Sequence, residues 1–267
     1  MATRALRIAA SGMYAQNLNI EVISNNIANI NTTGFKKNKA EFQDLMYQEV
    51  PTSSVTKTNN STSGTSDGVI QLGTGVKTTS TQKIFVQGDL EETSNELDMA
   101  IKGEGFFQVT KPDGSFAYTR DGSFELDSEG NVVTSSGYLL EPAITLDDDN
   151  ITEVRVGTDG TVEAVLNDGE TYVVDNIELV RFVNPGGLTA LGDNLYAEST
   201  SSGDPIYGTP GEDGFGEIYQ GYLESSNVDI VEEMVSMINA QHAYEINSKT
   251  VKTVEEMLSI TNNLKQS

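Results

Sequence analysis

The chain has 267 residues, with 16 Lys and Arg against 40 Asp and Glu, a net charge of −24 at pH 7. Residues 48–220 hold eight basic and thirty acidic groups, whereas residues 1–47 are net +2 and residues 221–267 net −4. Such a field repels nucleic acid and anionic lipid, so neither is a predicted partner. The absence of cysteine excludes disulfides and thiolate metal sites. No apolar stretch is long enough to predict direct membrane insertion.

Residues 1–35 are predicted to form an N-terminal assembly segment, with a helix over residues 3–31. Apolar side chains recur at three- and four-residue steps, which keeps one stripe of the helix facing a partner. The stripe comprises Leu6, Ala9, Met13, Ile20, Ile23, Ile27 and Ile30, and only Gln16 breaks the series. Asn29 and Gly34 mark the predicted end of the helix, because both tolerate the left-handed turn that follows one.

Residues 36–68 are predicted to be an extended linker, and residues 50–68 within it are rich in Ser, Thr, Asn and Gly. That composition buries little apolar surface, which favours a loop in the isolated chain. Two interpretations stay open: a tolerated surface insertion, or a segment that orders only against neighbouring subunits.

Residues 69–219 are predicted to form a central antiparallel β-domain, either a sandwich or a partly closed barrel. Short alternating runs are separated by tight-turn pairs such as Asp113-Gly114 and Asp159-Gly160, which favour hairpins. Strands at this close spacing are typical of sandwiches and barrels. With a helix at each end of the chain, the predicted fold class is α+β.

Residues 220–267 are predicted to form a C-terminal helix with a coiled-coil-like apolar row. The row repeats every seven residues and comprises Ile230, Met237, Tyr244, Val251 and Leu258. Ser226 or Asn227 is a candidate N-cap, and acidic residues follow in the first turns, where carboxylates suit the helix dipole. The pattern fits both a helix pair within one chain and helices that pair between subunits, because both need the same row.

The sequence gives little support for catalysis. His242 is the single histidine, so no second histidine or cysteine can share a metal or a proton relay with it. Asp147-Asp148-Asp149 and Asp127-Ser128-Glu129 lack the ligand spacing of a calcium loop and indicate solvated turns. Gly103-Glu104-Gly105 enters a strand, which indicates a tight turn and not a dinucleotide site. We predict no enzyme activity, no catalytic residue, no cofactor and no metal.

Several stretches resemble the signatures of the bacterial flagellar rod and hook axial proteins. They are residues 24–37 (SNNIANINTTGFKK), 99–107 (MAIKGEGFF), 118–124 (YTRDGSF) and 220–258 (QGYLESSNV to EML). The matches follow the family's order along most of the chain. The length of the chain and the presence of residues 50–68 point to the distal rod (G-type) members of the family. A proximal-rod or junction-type subunit is the alternative.

This resemblance implies a structural subunit that polymerises helically into a hollow drive shaft carrying torque from motor to hook. The terminal helices would pair as coiled coils into an inner tube. The implied location is the flagellar basal body, from the periplasm to the outer membrane, after type III export without a cleaved signal peptide. The implied partners are other copies, proximal rod and hook proteins, the rod cap, periplasmic and outer-membrane ring proteins, and the export apparatus.

The predicted subunit-interface residues come from the apolar stripes and from the matched signatures. The stripes contribute Leu6, Met13, Ile20, Ile23, Ile27, Ile30, Ile230, Met234, Met237, Val251 and Leu258. The signatures contribute Asn25, Asn26, Asn29, Gly34, Phe35, Tyr244, Glu245, Asn247 and Lys249. Two positions depart from the family pattern: His242 stands where Arg is frequent, and Arg7 where an aromatic residue is common.

Overall fold

A computed structural model describes residues 2–51, 69–146, 151–167 and 170–264. Helix α1 spans Ala2–Ala28 and helix α2 spans Ile230–Leu264, with antiparallel β-structure between them. This confirms the predicted α+β class, and the described sheets are open and not closed into a barrel. No described helix is long and apolar enough to cross a membrane.

The described residues form twenty strands and one short 3-10 turn, Pro185–Gly187. The first ten strands are β1 Asn38–Asp44, β2 Gln48–Pro51, β3 Val69–Leu72, β4 Val76–Lys83, β5 Leu90–Glu92, β6 Met99–Lys102, β7 Phe107–Thr110, β8 Phe116–Thr119, β9 Phe124–Leu126 and β10 Val132–Thr134. The remaining strands are β11 Leu139–Glu141, β12 Ile151–Val156, β13 Thr161–Leu166, β14 Thr171–Asn176, β15 Leu179–Arg181, β16 Thr189–Gly192, β17 Leu195–Ala197, β18 Ile206–Gly208, β19 Glu217–Gln220 and β20 Tyr222–Glu224.

The chain divides into two compact units, each built from segments that are far apart in sequence. The first unit takes Met1–Ser24, Lys39–Thr81 and Val231–Ser267; the second takes Asn25–Asn38 and Gln82–Ile230. In this division residues 25–35 group with the β-rich body.

The first unit combines most of both helices with two small sheets, β1–β4 and β2–β3. Small side chains on α1 allow close packing: Ala9 and Ala15 are buried, and the hydroxyl of Ser11 accepts a hydrogen bond from the Val76 amide at 3.3 Å. Residues 52–68, which include nearly all of the Ser- and Thr-rich segment, lie outside the described residues.

Helix α1 ends at Ala28, three residues before the predicted end. The side-chain amide of Asn29 donates to the carbonyl of Asn25 at 2.8 Å, which satisfies a carbonyl at the helix end. Gly34 then adopts the left-handed backbone expected of it, with φ +66°.

The second unit holds a seven-stranded sheet ordered β16-β17-β8-β7-β11-β10-β9 and a three-stranded sheet ordered β12-β13-β14. The predicted turn at Asp113-Gly114 joins β7 to β8, with Gly114 at φ +78°. One core cluster is mainly aliphatic and another is aromatic, with edge-on rings of Phe85, Phe106 and Tyr196. This body positions the site described next.

Candidate functional site

The segment that follows α1 is anchored within the second unit. Gly34 donates its backbone N–H to the carbonyl of Glu224 at 2.8 Å. A Cβ on Gly34 would lie 2.7 Å from the backbone nitrogen of Asp121, so only glycine fits this approach. Phe35 and Lys36 follow directly, and both are buried.

Three charged side chains meet beneath this segment and define the ionic junction: Lys36, Arg120 and Glu224. The Lys36 Nζ lies 2.5 Å from Glu224 Oε1, and Arg120 Nη1 lies 3.4 Å from Glu224 Oε2. All three side chains are at least 95% buried. Charged residues are rarely buried to this degree unless they are paired.

Backbone groups supply further hydrogen bonds to the ionic junction. Lys36 Nζ donates to the Val86 carbonyl at 2.9 Å, and the Gly88 amide donates to Glu224 Oε1 at 2.9 Å. Arg120 Nη2 donates to the Gly103 carbonyl at 2.7 Å. These bonds replace part of the hydration that the charges lose on burial. Arg120 Nε and Glu224 Oε2 are buried without a hydrogen-bond partner among the described residues.

The electrostatics of the ionic junction are dominated by burial. Burial lowers the pKa of Lys36, while the adjacent Glu224 carboxylate raises it and the Arg120 guanidinium lowers it. Burial likewise lowers the pKa of Arg120, against the raising effect of Glu224. Lys36 and Arg120 therefore share one carboxylate, and both cations need Glu224 as their counter-charge.

A second, polar contact holds the same segment to the β-rich body. Thr33 Oγ1 donates to Asp121 Oδ1 at 2.9 Å, and Asn194 Nδ2 donates to the Thr33 carbonyl at 3.0 Å. Asn194 adopts φ +58° in the turn between β16 and β17, a conformation that asparagine tolerates better than most residues. This places its amide against the chain segment after α1.

Asn227 also serves the junction, in place of the helix-capping role considered from the sequence. Its Oδ1 accepts from the Lys37 amide at 2.8 Å, and its Nδ2 donates to the Ile84 carbonyl at 2.8 Å. Helix α2 begins later, at Ile230. The side chain of Asn227 thus ties the segment after α1 to the segment before α2.

The Glu224 carboxylate is fully buried and is paired with Lys36 and Arg120. Across the described residues, no group of His, Cys, Asp or Glu side chains has the geometry to hold a metal ion. His242 lies exposed on α2.

Three family profiles match the chain in sequence order. They are "Flagella basal body rod protein" at residues 6–36, "Flagellar hook protein FlgE/F/G D1 domain" at residues 100–164, and "Flagellar basal body rod FlgEFG protein C-terminal" at residues 219–264. The ionic junction takes one residue from each of these three regions.

Full-length relatives separate the members of this family. The rod protein FlgG of Buchnera aphidicola subsp. Schizaphis graminum is 48% identical over 95% of this chain and 96% of its own length. In Caulobacter vibrioides, FlgG is 46% identical (98% of this chain, 99% of that protein), whereas FlgF is 33% identical (95% and 94%). The chain belongs to the FlgG family of flagellar basal-body rod proteins. Like its family, it is a structural subunit of the flagellar distal rod.

Membership of the FlgG family places the chain in the flagellar basal body, assembled with its own copies and with neighbouring axial proteins. Among solved structures, the Helicobacter pylori flagellar hook protein FlgE2 overlaps 71% of this chain and 43% of its own, at 17% identity and a TM-score of 0.24.

The predicted interface residues fall into three groups by exposure, and their interface role stays a prediction. The buried ones are Ile23, Asn26, Gly34 and Phe35. The half-buried ones are Leu6, Met13, Ile20, Ile27, Asn29, Ile30, Met237, Asn247 and Val251. The exposed ones are Asn25, Ile230, Met234, Tyr244, Glu245, Lys249 and Leu258. The structure brings Gly34 and Phe35 to the junction, and it brings Asn247 against α1.

Sequence reasoning missed the ionic junction. Lys36, Arg120 and Glu224 were not among the predicted site residues, because a charged residue is expected at the surface. The available signal was their position: each lies inside one of the matched signatures, within two residues of a glycine or an aromatic residue.

Proposed function

We propose that copies of this chain polymerise helically through their terminal helices into the hollow shaft that carries torque from the motor to the hook. The supporting observation is an exposed apolar face on α2. Val235, Ile238, Ile246, Met257 and Ile260 are each between 49% and 65% exposed.

At 3.6 residues per turn these five side chains lie on one side of the helix. Ala240 and Val254, which are buried, lie on the other side. His242, Lys249 and Thr253 lie between the five apolar side chains on their side of the helix, so the face is apolar but interrupted. Five exposed apolar side chains on one side of a helix indicate an interaction surface. Burying a fully exposed apolar side chain contributes on the order of 1.5–3 kcal/mol, and these side chains would gain the part that corresponds to their remaining exposure, which favours association with further copies.

The ionic junction suits a subunit under torque. It fastens the segment after α1 and the segment before α2 to the β-rich body through buried charges and through the contacts of Thr33 and Asn227. Close-packed interiors transmit strain with little deformation. Load that reaches these two segments would therefore pass into the β-rich body with little deformation.

The finer features of the family complete the proposal. Residues 1–35 and 220–267 would form the inner assembly domain, residues 36–68 an extended linker, and residues 69–219 the outer body. Within the linker, residues 50–68 would lie between neighbouring subunits and help to stiffen the shaft. The shaft would cross from the periplasm to the outer membrane. Its partners would be proximal rod and hook proteins, the rod cap and the surrounding rings, after type III export without a cleaved signal peptide. No catalytic role is proposed.

The decisive experiment compares Ile238→Asp with Gln241→Asp, a matched control that places the same charge off the apolar face. The two variants are expressed in cells that lack the native chain, and basal bodies are imaged by electron microscopy. Ile238→Asp should give basal bodies that stop short of the outer membrane, whereas Gln241→Asp should give complete rods. Circular dichroism of both purified variants should match the unaltered chain. Complete, straight rods with Ile238→Asp would exclude this face as the assembly surface.

A further inference from the structure

Helix α2 packs through a row that contains polar residues, although a fully apolar row lies beside it. The packed row repeats every seven residues and comprises Glu233, Ala240, Asn247 and Val254. Three of these are buried and Asn247 is half-buried. In the neighbouring apolar row, Tyr244 stays 42% exposed and Leu258 39% exposed.

One residue of the packed row, Asn247, lies against Gly12 of α1. A Cβ on Gly12 would lie 2.9 Å from Asn247 Nδ2 and 3.3 Å from its Cγ. The Asn247 amide therefore lies directly over the α1 backbone, in space that any other residue at position 12 would fill. No described residue gives the Asn247 side chain a hydrogen bond that would tie it elsewhere.

The two rows are close enough to compete. They are offset by four residues, so a rotation of α2 by about 40° exchanges them. That rotation would put Met237, Tyr244, Val251 and Leu258 where Glu233, Ala240, Asn247 and Val254 now lie, which the hydrophobic effect alone favours. A single asparagine in a packed helical row is known to fix register at a cost in stability.

We propose that the Gly12–Asn247 contact sets the register of the α1–α2 pair and so keeps the row of Tyr244 and Leu258 at the surface for a second copy of this chain. We infer a second copy as the partner because this row is continuous with the apolar face of α2 proposed for assembly. Met234, which is 53% exposed, lies between the row and Ile238 of that face. The role of the second copy rests on the proposed polymerisation, whereas the register itself does not.

The first test measures the exposure of Tyr244 in dilute, unpolymerised protein. Asn247→Leu is compared with Asn239→Leu, which makes the same change at an exposed position of α2. Each protein is treated with tetranitromethane, and nitration is quantified by mass spectrometry, with Tyr14, 66% exposed on α1, as the internal reference. Asn247→Leu should nitrate Tyr244 severalfold more slowly relative to Tyr14, and Asn239→Leu should not. Equal Tyr244 nitration in the two variants would overturn the register role.

The second test uses the absence of cysteine in the chain. The double variant Gly12→Cys with Asn247→Cys should form an intrachain disulfide severalfold faster than Gly12→Cys with Asn239→Cys. Equal rates would show that no such register exists. Tyr244 nitration and disulfide formation both report on contacts within one chain, so neither depends on polymerisation. Polymerisation is measured separately, by sedimentation of the unaltered chain. A chain that keeps the register but never polymerises would refute the proposed function and leave the register intact.

Discussion

Glu224 is the residue on which the buried charges of the junction depend. Glu224→Gln keeps the shape of the side chain but leaves Lys36 and Arg120 buried without a counter-charge. Removing one partner of a buried ion group typically costs about 3–5 kcal/mol, so we expect a loss of that order in the free energy of unfolding. Urea denaturation followed by circular dichroism measures it.

The control for this prediction is Glu153→Gln. Glu153 pairs with Arg155 at 2.9 Å, but both side chains are solvent-exposed. Exposed pairs contribute little, because water screens them and the side chains lose freedom on pairing. A loss in Glu224→Gln no larger than in this control would show that the ionic junction does not stabilise the fold.

Tyr196 supplies a pH-dependent prediction in the same region. Burial raises the pKa of its hydroxyl to about 12, with Arg120 lowering it and Glu224 raising it. An unfolded tyrosine ionises near pH 10, so between about pH 10 and pH 12 the unfolded chain loses a proton that the folded chain keeps. Stability that Tyr196 contributes is complete below pH 10 and is lost as the pH rises through this window.

Tyr196→Phe removes the ionisable hydroxyl and keeps the ring. We expect the free energy of unfolding to fall less steeply from pH 10 to pH 12 in this variant than in the unaltered chain. Denaturant titrations at a series of alkaline pH values give both slopes. Parallel slopes would mean that Tyr196 ionises as readily in the folded chain as in the unfolded one.

At the scale of elements, the turn between α1 and the junction depends on Gly34. Gly34→Ala combines a left-handed backbone with a Cβ 2.7 Å from the Asp121 amide nitrogen. Gly114→Ala isolates the first of these terms, because Gly114 has φ +78° and no atom within 4 Å of its Cβ position. The left-handed conformation costs a non-glycine residue about 1–2 kcal/mol.

We therefore expect Gly114→Ala to lose about that amount and Gly34→Ala to lose clearly more, since the backbone of Asp121 must also move. Thermal unfolding of both variants gives the comparison. If the two variants unfold at the same temperature, the close approach at Gly34 adds nothing to the backbone strain.

The elements were predictable to the extent that their signals are local. Apolar periodicity predicted both helices, and Asp113-Gly114 predicted the hairpin of β7 and β8. The packing face of α2 was not predictable in the same way, because hydrophobicity favours the row of Tyr244 over the row of Asn247. The deciding feature is the Gly12 backbone on another helix, which the periodicity of α2 does not contain.

The ionic junction could not be predicted from the sequence for a related reason. Lys36 and Glu224 are 188 residues apart, and a sequence gives no distance between them. Single-sequence reasoning assigns charged residues to the surface, which holds for most acidic residues that the structure describes but not for Glu224. Only the packing of three distant segments shows that its burial is matched by cations and backbone amides.

At the scale of the whole molecule, the charge of −24 opposes the assembly that the helices favour. Residues 48–220 carry most of it, so copies brought together repel each other at long range. Salt shortens this range, from about 30 Å at 0.01 M to about 8 Å at 0.15 M. Apolar contacts between helices are not weakened by this screening.

Polymerisation of the purified chain should therefore increase with sodium chloride concentration, measured as the fraction that sediments at fixed protein concentration. Glu91→Gln with Glu92→Gln, which removes two acidic groups of β5, should polymerise at lower salt than the unaltered chain. The opposite result is equally informative. Polymers that dissolve as the salt concentration rises would show that attraction between the acidic body and basic residues of another copy holds them together. In that case the apolar face of α2 would not be the main source of association.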